Sequence, residues 1–155
     1  MAEVSAAGTL YRAVLRIDPA EDAGIGLPGA LRAMTTGAVT ALWQGPDEFL
    51  LLSSAPIVLA IGAVHSLVDV SDRQLGFVVE GEDAELLLAS GCPLDLDSLK
   101  VGGTTRTLFG KTDLTLWRVS EQRWHIEVGR SFAPYLLAML AEAARSEGMA
   151  ANFVD

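Results

Sequence analysis

The sequence predicts an α+β fold: a mainly antiparallel sheet with two or three helices packed on it. Three observations carry this reading. Short apolar, β-branched runs recur between turns containing Gly, Pro and Asp; only two stretches repeat apolar residues convincingly at helical spacing; and no long polar linker separates them. At 155 residues the chain is expected to form a single domain, 1–155, since domains commonly run to roughly 100–200 residues. With 50% hydrophobic and 20% charged residues, it has apolar surface enough to bury and is not a disordered chain.

Residues 11–17 read as the first strand. Residues 18–37, rich in Gly, Pro and Ala, read as loop, with a short helix placed around 30–34. The apolar runs 38–43 and 49–52 flank Gln44-Gly45-Pro46-Asp47-Glu48, a turn composition, and predict a β-hairpin. Pro56 suits the first turn of a short buried helix running to about Ala63. Residues 64–70 and 75–80 read as strands.

A helix is predicted over 81–90. Glu82, Asp83 and Glu85 crowd its first turn, Leu86, Leu87 and Leu88 supply a buried stripe, and Gly91 takes the left-handed position that ends it. Runs 105–109, 114–119 and 124–128 predict a three-stranded meander with turns at 110–113 and 120–123. The last helix starts near Ser131, whose hydroxyl is placed to cap it, with Pro134 in the first turn. Phe132, Leu136, Met139, Leu140 and Ala143 define its core face, and it ends before Gly148. Residues 149–155 either fray or form a last strand.

The net charge is −9 and the sequence pI about 4.6, so phosphate backbones and anionic lipid headgroups repel the chain; neither nucleic acid nor membrane is an expected partner. The longest apolar run, residues 55–64, is short of the ~20 residues a membrane span needs. Residues 1–9 lack the basic and apolar regions of a signal peptide, and a cytoplasmic protein is expected. The single cysteine, Cys92, makes no internal disulfide and no thiolate zinc cluster.

Catalytic signatures are sparse. His65 and His125 are the only imidazoles, each inside a predicted strand; Glu127 shares a face with His125, but two ligands are too few for a metal site. There is no Gly-x-Ser-x-Gly elbow. Gly110-Lys111-Thr112 lacks the first glycine of a phosphate loop and reads as a turn. Gly24-Ile25-Gly26-Leu27-Pro28-Gly29 has dinucleotide-loop spacing but follows a polar segment instead of a strand, and Pro28 removes an N–H; it reads as surface loop. Cys92 follows a helix C-terminus, whose dipole disfavours a thiolate. The densest polar motif, Asp69-Val70-Ser71-Asp72-Arg73, reads as a turn at a strand end. Trp43, Trp117 and Trp124, with a mean hydropathy of +0.35, are either core or surface buried against another chain.

Four blocks carry a resemblance. Trp43-Gln44-Gly45-Pro46-Asp47-Glu48-Phe49-Leu50-Leu51, Val68-Asp69-Val70-Ser71-Asp72-Arg73, Gly91-Cys92-Pro93-Leu94-Asp95-Leu96 and Gly129-Arg130-Ser131-Phe132-Ala133 resemble, in order and interval, the gamma subunits of heterotetrameric sarcosine oxidase. The resemblance spans about residues 38–147. It implies a fold related to the folate-binding domain of aminomethyltransferases, the T-protein of glycine cleavage. It also implies a noncatalytic accessory subunit with no cofactor of its own. NAD and tetrahydrofolate would lie on the large alpha subunit, FAD on beta, FMN between alpha and beta, and zinc on delta. The assembly would oxidise sarcosine to glycine and hydrogen peroxide and pass the one-carbon unit to tetrahydrofolate. Folate-binding relatives carry a Tyr-Thr-Gly-Glu segment where this chain reads Val119-Ser120-Glu121-Gln122-Arg123, so no folate contact is carried over here.

On this reading the alpha, beta and delta subunits are the partners, and Arg130, Asp69, Arg73 and Trp43 are the candidate interface residues. Arg130 stands before a helix on an otherwise acidic chain and can meet a partner carboxylate with a planar fork of donors. The alternatives are a stand-alone folate-dependent aminomethyltransferase-like protein and a small-ligand-binding module.

Overall fold

A computed structural model describes residues 1–154. Its strands are β1 (Ala2–Ala6), β2 (Tyr11–Ile17), β3 (Ala33–Thr36), β4 (Val39–Gly45), β5 (Glu48–Ser53), β6 (His65–Asp69), β7 (Gln74–Glu80), β8 (Thr104–Phe109), β9 (Thr112–Ser120), β10 (Arg123–Gly129) and β11 (Ala151–Val154). The α-helices are α1 (Ala84–Ala89) and α2 (Ala133–Ser146), with 3-10 turns at Leu96–Ser98 and Arg130–Phe132. The predicted α+β class, mostly antiparallel sheet with few helices, is what the chain adopts. The chain forms two compact units, one of Met1–Gly8 with the residues from Arg73 onward, the other of Thr9–Asp72.

The first unit holds a six-stranded sheet in the order β11-β1-β7-β10-β9-β8, antiparallel except for β1 with β11. The predicted meander is there as β8, β9 and β10. Period-2 alternation puts Trp124, Ile126 and Val128 on the face that packs against the helices, where they join Leu87, Leu88, Leu136 and Leu140 in one core. The hairpin between β8 and β9 turns at Gly110-Lys111, with Gly110 at φ +59°, a conformation that favours glycine. The Lys111 N–H donates to Tyr135 Oη at 3.1 Å, tying the turn to α2.

Several expectations about the helices need correction. The first helix is shorter than 81–90, and Leu86 points to solvent while Leu87 and Leu88 are buried. Gly91 is not left-handed; a Cβ there would sit 2.7–2.9 Å from the Phe109 ring, so this glycine is fixed by close approach. Ser131 makes no cap: the chain enters α2 through the 3-10 turn, Phe132 is the N-cap residue without a side-chain cap bond, and Pro134 lies in the first turn as predicted. Phe132 is 55% exposed, and the buried face of α2 is Ala133, Leu136, Leu140 and Ala144.

The second unit is a five-stranded antiparallel sheet in the order β3-β4-β5-β2-β6. The hairpin predicted around Gly45-Pro46 is β4 with β5. No helix forms at 30–34. Ala33–Thr36 instead pairs with β4, and the Thr35 and Thr40 hydroxyls bond across the pair at 2.9 Å.

Nor is there a helix after Pro56. Residues 56–63 run extended, with Ile57, Leu59, Ile61 and Ala63 packed on the core of Leu15, Ala41, Phe49 and Leu51, while Val58, Ala60 and Gly62 face out. β-Branched Ile57, Val58 and Ile61 favour this conformation.

Candidate functional site

The residues that could carry chemistry stay apart or serve the fold. On β10, His125 Nε2 and Glu127 Oε1 are 2.6 Å apart and both buried, and the imidazole lies 5.8 Å from the Trp117 ring. The two side chains share the face of β10 opposite Trp124 and Ile126, as strand period requires. Cys92 Sγ meets Thr107 Oγ1 at 3.5 Å and packs at the margin of the first core. Among the described residues, no three His, Cys, Asp or Glu side chains come together to hold a metal ion.

The Gly24 to Gly29 loop is used internally: Ile25 and Leu27 pack on the second core, and the Gly26 N–H donates to Thr36 Oγ1 at 3.0 Å. The Gly24 N–H likewise donates to Asp22 Oδ1 at 2.8 Å.

The most elaborate polar construction is one the sequence motifs did not mark. Arg118 is buried over the Trp124 ring at 4.8 Å. It donates to the Leu99 carbonyl at 3.0 Å, the Leu96 carbonyl at 3.3 Å and the Glu85 carboxylate at 2.9 Å, and it also reaches Glu121 Oε2 at 3.3 Å. One planar guanidinium thereby joins α1, the Leu96–Ser98 turn and the β9–β10 turn. Partial burial raises the Glu85 pKa above the usual carboxylate range, a hydrogen bond that protonated Glu85 donates to Asp97 adds to this, and Arg118 opposes it. This is structural chemistry. The sequence signal for it is an arginine between the apolar Trp117 and Val119 of β9.

The candidate interface residues fall into separate places. Arg73 and Arg130 are brought together: beyond the last β7–β10 pair, Gly129 with Gln74, the Arg130 N–H donates to the Arg73 carbonyl at 2.9 Å. Both are exposed, with exposed Phe132 two residues on. Asp69 ends β6 in the second unit and accepts the Ser71 N–H at 2.8 Å, which holds its carboxyl below the usual range. Ser71 Oγ accepts the Arg12 N–H at 2.9 Å. Asp69 and Ser71 thus build the turn that the motif predicts. Trp43, on β4, is half-buried against the second core, with β5 and β2 between it and β6.

A cavity of about 320 Å³ opens in the second unit, lined by Tyr11, Ala13, Ile57, Leu67, Asp69 and Ser71 among others. Its lining mixes apolar residues with Arg12, Asp69 and Ser71.

Comparison with known families decides what such a chain is. Residues 16–146 match the sarcosine oxidase, gamma subunit family. The chain belongs to that family. Gamma subunits of sarcosine oxidase from Corynebacterium sp. strain U-96 and strain P-1 are 33% and 32% identical, over 131 and 136 residues. These stretches cover 77% and 80% of this gamma-family chain but 64% and 66% of the relatives, so the match spans just under two thirds of their length.

A chain of heterotetrameric sarcosine oxidase from Corynebacterium sp. U-96, solved in complex with pyrrole 2-carboxylate, matches with a TM-score of 0.85 at 27% identity, over 95% of this chain and 85% of that one. The glycine cleavage aminomethyltransferase T from Bartonella henselae matches with a TM-score of 0.68 at 14% identity, covering 99% of this chain and 47% of that one. This second likeness is one of fold, the one that the four sequence blocks imply for a gamma-family chain.

Proposed function

We propose that the chain is a noncatalytic subunit of a sarcosine-oxidase-type flavoenzyme and helps to assemble or stabilise its large subunit. The observation that carries this reading is the 0.85 TM-score over 95% of the chain against a chain of heterotetrameric sarcosine oxidase. Agreeing with it, His125 and Glu127 bond to each other on one strand, and Arg118 knits three segments of a single unit together. On this proposal the partners are alpha, beta and delta subunits in the cytoplasm. FAD, FMN, NAD, tetrahydrofolate and zinc are held by those subunits. The assembly oxidises the N-methyl group of sarcosine.

Exposed Arg73, Arg130 and Phe132 stand at one corner, and on a chain of net charge −9 arginines are the side chains suited to an acidic partner surface. Trp43 and Asp69 are retained as candidate contacts of the second unit. The test is coexpression with alpha, beta and delta subunits, followed by affinity capture of the large subunit. The expected result is capture of this chain in fixed ratio. Arg130→Ala should weaken capture, more at low salt than at high. Capture that Arg130→Ala leaves unchanged at every ionic strength would remove Arg130 from the interface.

A further inference from the structure

The cavity of about 320 Å³ in the second unit arises where an apolar row of the sheet gives way to a charge. In the register of β2 with β6, Leu15 stands opposite Leu67 and Ala13 opposite Asp69. Strand alternation puts Tyr11, Ala13 and Leu15 on one face of β2, with Leu67 and Asp69 on the matching face of β6. This is the face of the second core, to which Ala13, Leu15 and Leu67 belong. Two residues beyond Leu67 a carboxylate takes the place of an apolar side chain, and the single methyl of Ala13 opposite leaves room in front of it. Pro56 and Ile57 complete the apolar part of the lining.

The charge at this place has no counter-charge in the chain. Asp69 Oδ1 accepts the Ser71 N–H at 2.8 Å, and the bonds from Ser71 keep the carboxyl ionised at neutral pH. Among the described residues, no Lys, Arg or His forms an ion pair with it. Arg12 also lines the cavity, but it is buried and its guanidinium donates to the Leu10 carbonyl at 3.2 Å. Tyr11 is exposed, and among the described residues its hydroxyl has no hydrogen-bond partner.

We infer that this cavity is a binding site for a small organic cation, a protonated amine on a compact apolar body. The ammonium group pairs with the Asp69 carboxylate, and the apolar body lies against Ala13, Ile57 and Leu67. Tyr11 supplies an aromatic ring and a hydroxyl oxygen, both of which attract a cation. An anionic ligand is repelled by Asp69, and a neutral one leaves the carboxylate unpaired, so charge decides selectivity. Ligand cavities commonly measure about 300–1,000 Å³, and one at the lower end takes a small ligand. Every lining residue belongs to the Thr9–Asp72 unit, so the site needs no partner chain.

Isothermal titration of the full chain with benzylammonium, benzyl alcohol and benzoate tests this. The expected result is saturable binding of benzylammonium, about tenfold or more tighter than that of the other two. Asp69→Asn keeps an acceptor for the Ser71 N–H and removes only the charge; it should weaken benzylammonium binding about tenfold or more. Tyr11→Leu, at an exposed position, should weaken it as well. Glu147→Gln removes one negative charge from an exposed position beyond α2 and should change nothing. Absence of binding, or equal binding of the three probes, overturns the inference. So does equal weakening by Asp69→Asn and Glu147→Gln, which would mean that net charge alone holds the amine. If the chain alone binds benzylammonium and the coexpressed assembly does not, a partner's side chain fills the cavity and a free amine is not its ligand, which also overturns the inference while leaving the accessory-subunit reading in place.

Discussion

Replacing Arg118 by alanine should cost about 3 kcal/mol, because it leaves the Glu85 carboxylate and the Leu96 and Leu99 carbonyls without the partner that neutralises them. Urea unfolding of the variant checks this; a loss within experimental error would mean that water replaces the guanidinium. Phe132 and Leu136, one turn apart, should respond oppositely to truncation. Leu136 is fully buried and Leu136→Ala should cost about 2–5 kcal/mol. Phe132 is exposed, so Phe132→Ala should stay within about 0.5 kcal/mol. The two carboxylates with shifted pKa values act in opposite directions with pH. Asp69 is held below its ordinary 3.8, so its contribution is present above that value and is lost as the pH falls through its folded pKa. Glu85 is held above its ordinary 4.5, so its contribution is present below that value and is lost as the pH rises through its folded pKa. Carboxyl titration by NMR should place the Asp69 midpoint below 3.8 and the Glu85 midpoint above 4.5; the reverse order of shifts would refute the contacts assigned to them.

At the scale of elements, β2 and β4 to β10 were legible because each combines apolar or β-branched residues with a turn signal at its end. β1 was not legible: Ala2-Glu3-Val4-Ser5-Ala6 has alternation but only small side chains, and it is fixed by pairing with β7, more than seventy positions away. The strap was misread as a buried helix because its outward positions are as apolar as its inward ones, so period 2 left no mark in the sequence. Phe132 was misread for a related reason, since helical spacing aligns it with Leu136 and Leu140 but the preceding 3-10 turn rotates it out of the core. Of the candidate contacts, the Asp69 turn follows from a strand end visible in the sequence, whereas the Arg73–Arg130 juxtaposition needs the pairing of β7 with β10, which the sequence does not announce. The Arg118 cluster is not announced either, because Glu85, Leu96 and Leu99 come from segments about twenty or more positions away.

At the scale of the whole molecule, the chain combines two apolar cores with large apolar side chains, Val58, Val64 and Phe132 among them, that stay exposed. Such a chain should self-associate when alone, since obligate interfaces bury on the order of 2,000–5,000 Å² of largely apolar surface. Light scattering should show a weight-average mass rising with concentration above 16.4 kDa, and a strict monomer at high concentration would count against an obligate-subunit role. The most direct test of the central claim is the native mass of the complex captured on a tagged large subunit after coexpression with and without this chain. The account predicts that the chain enters in fixed ratio and that, without it, the recovered complex loses stability. Recovery of an equally stable and active oxidase that never contains the chain would contradict it.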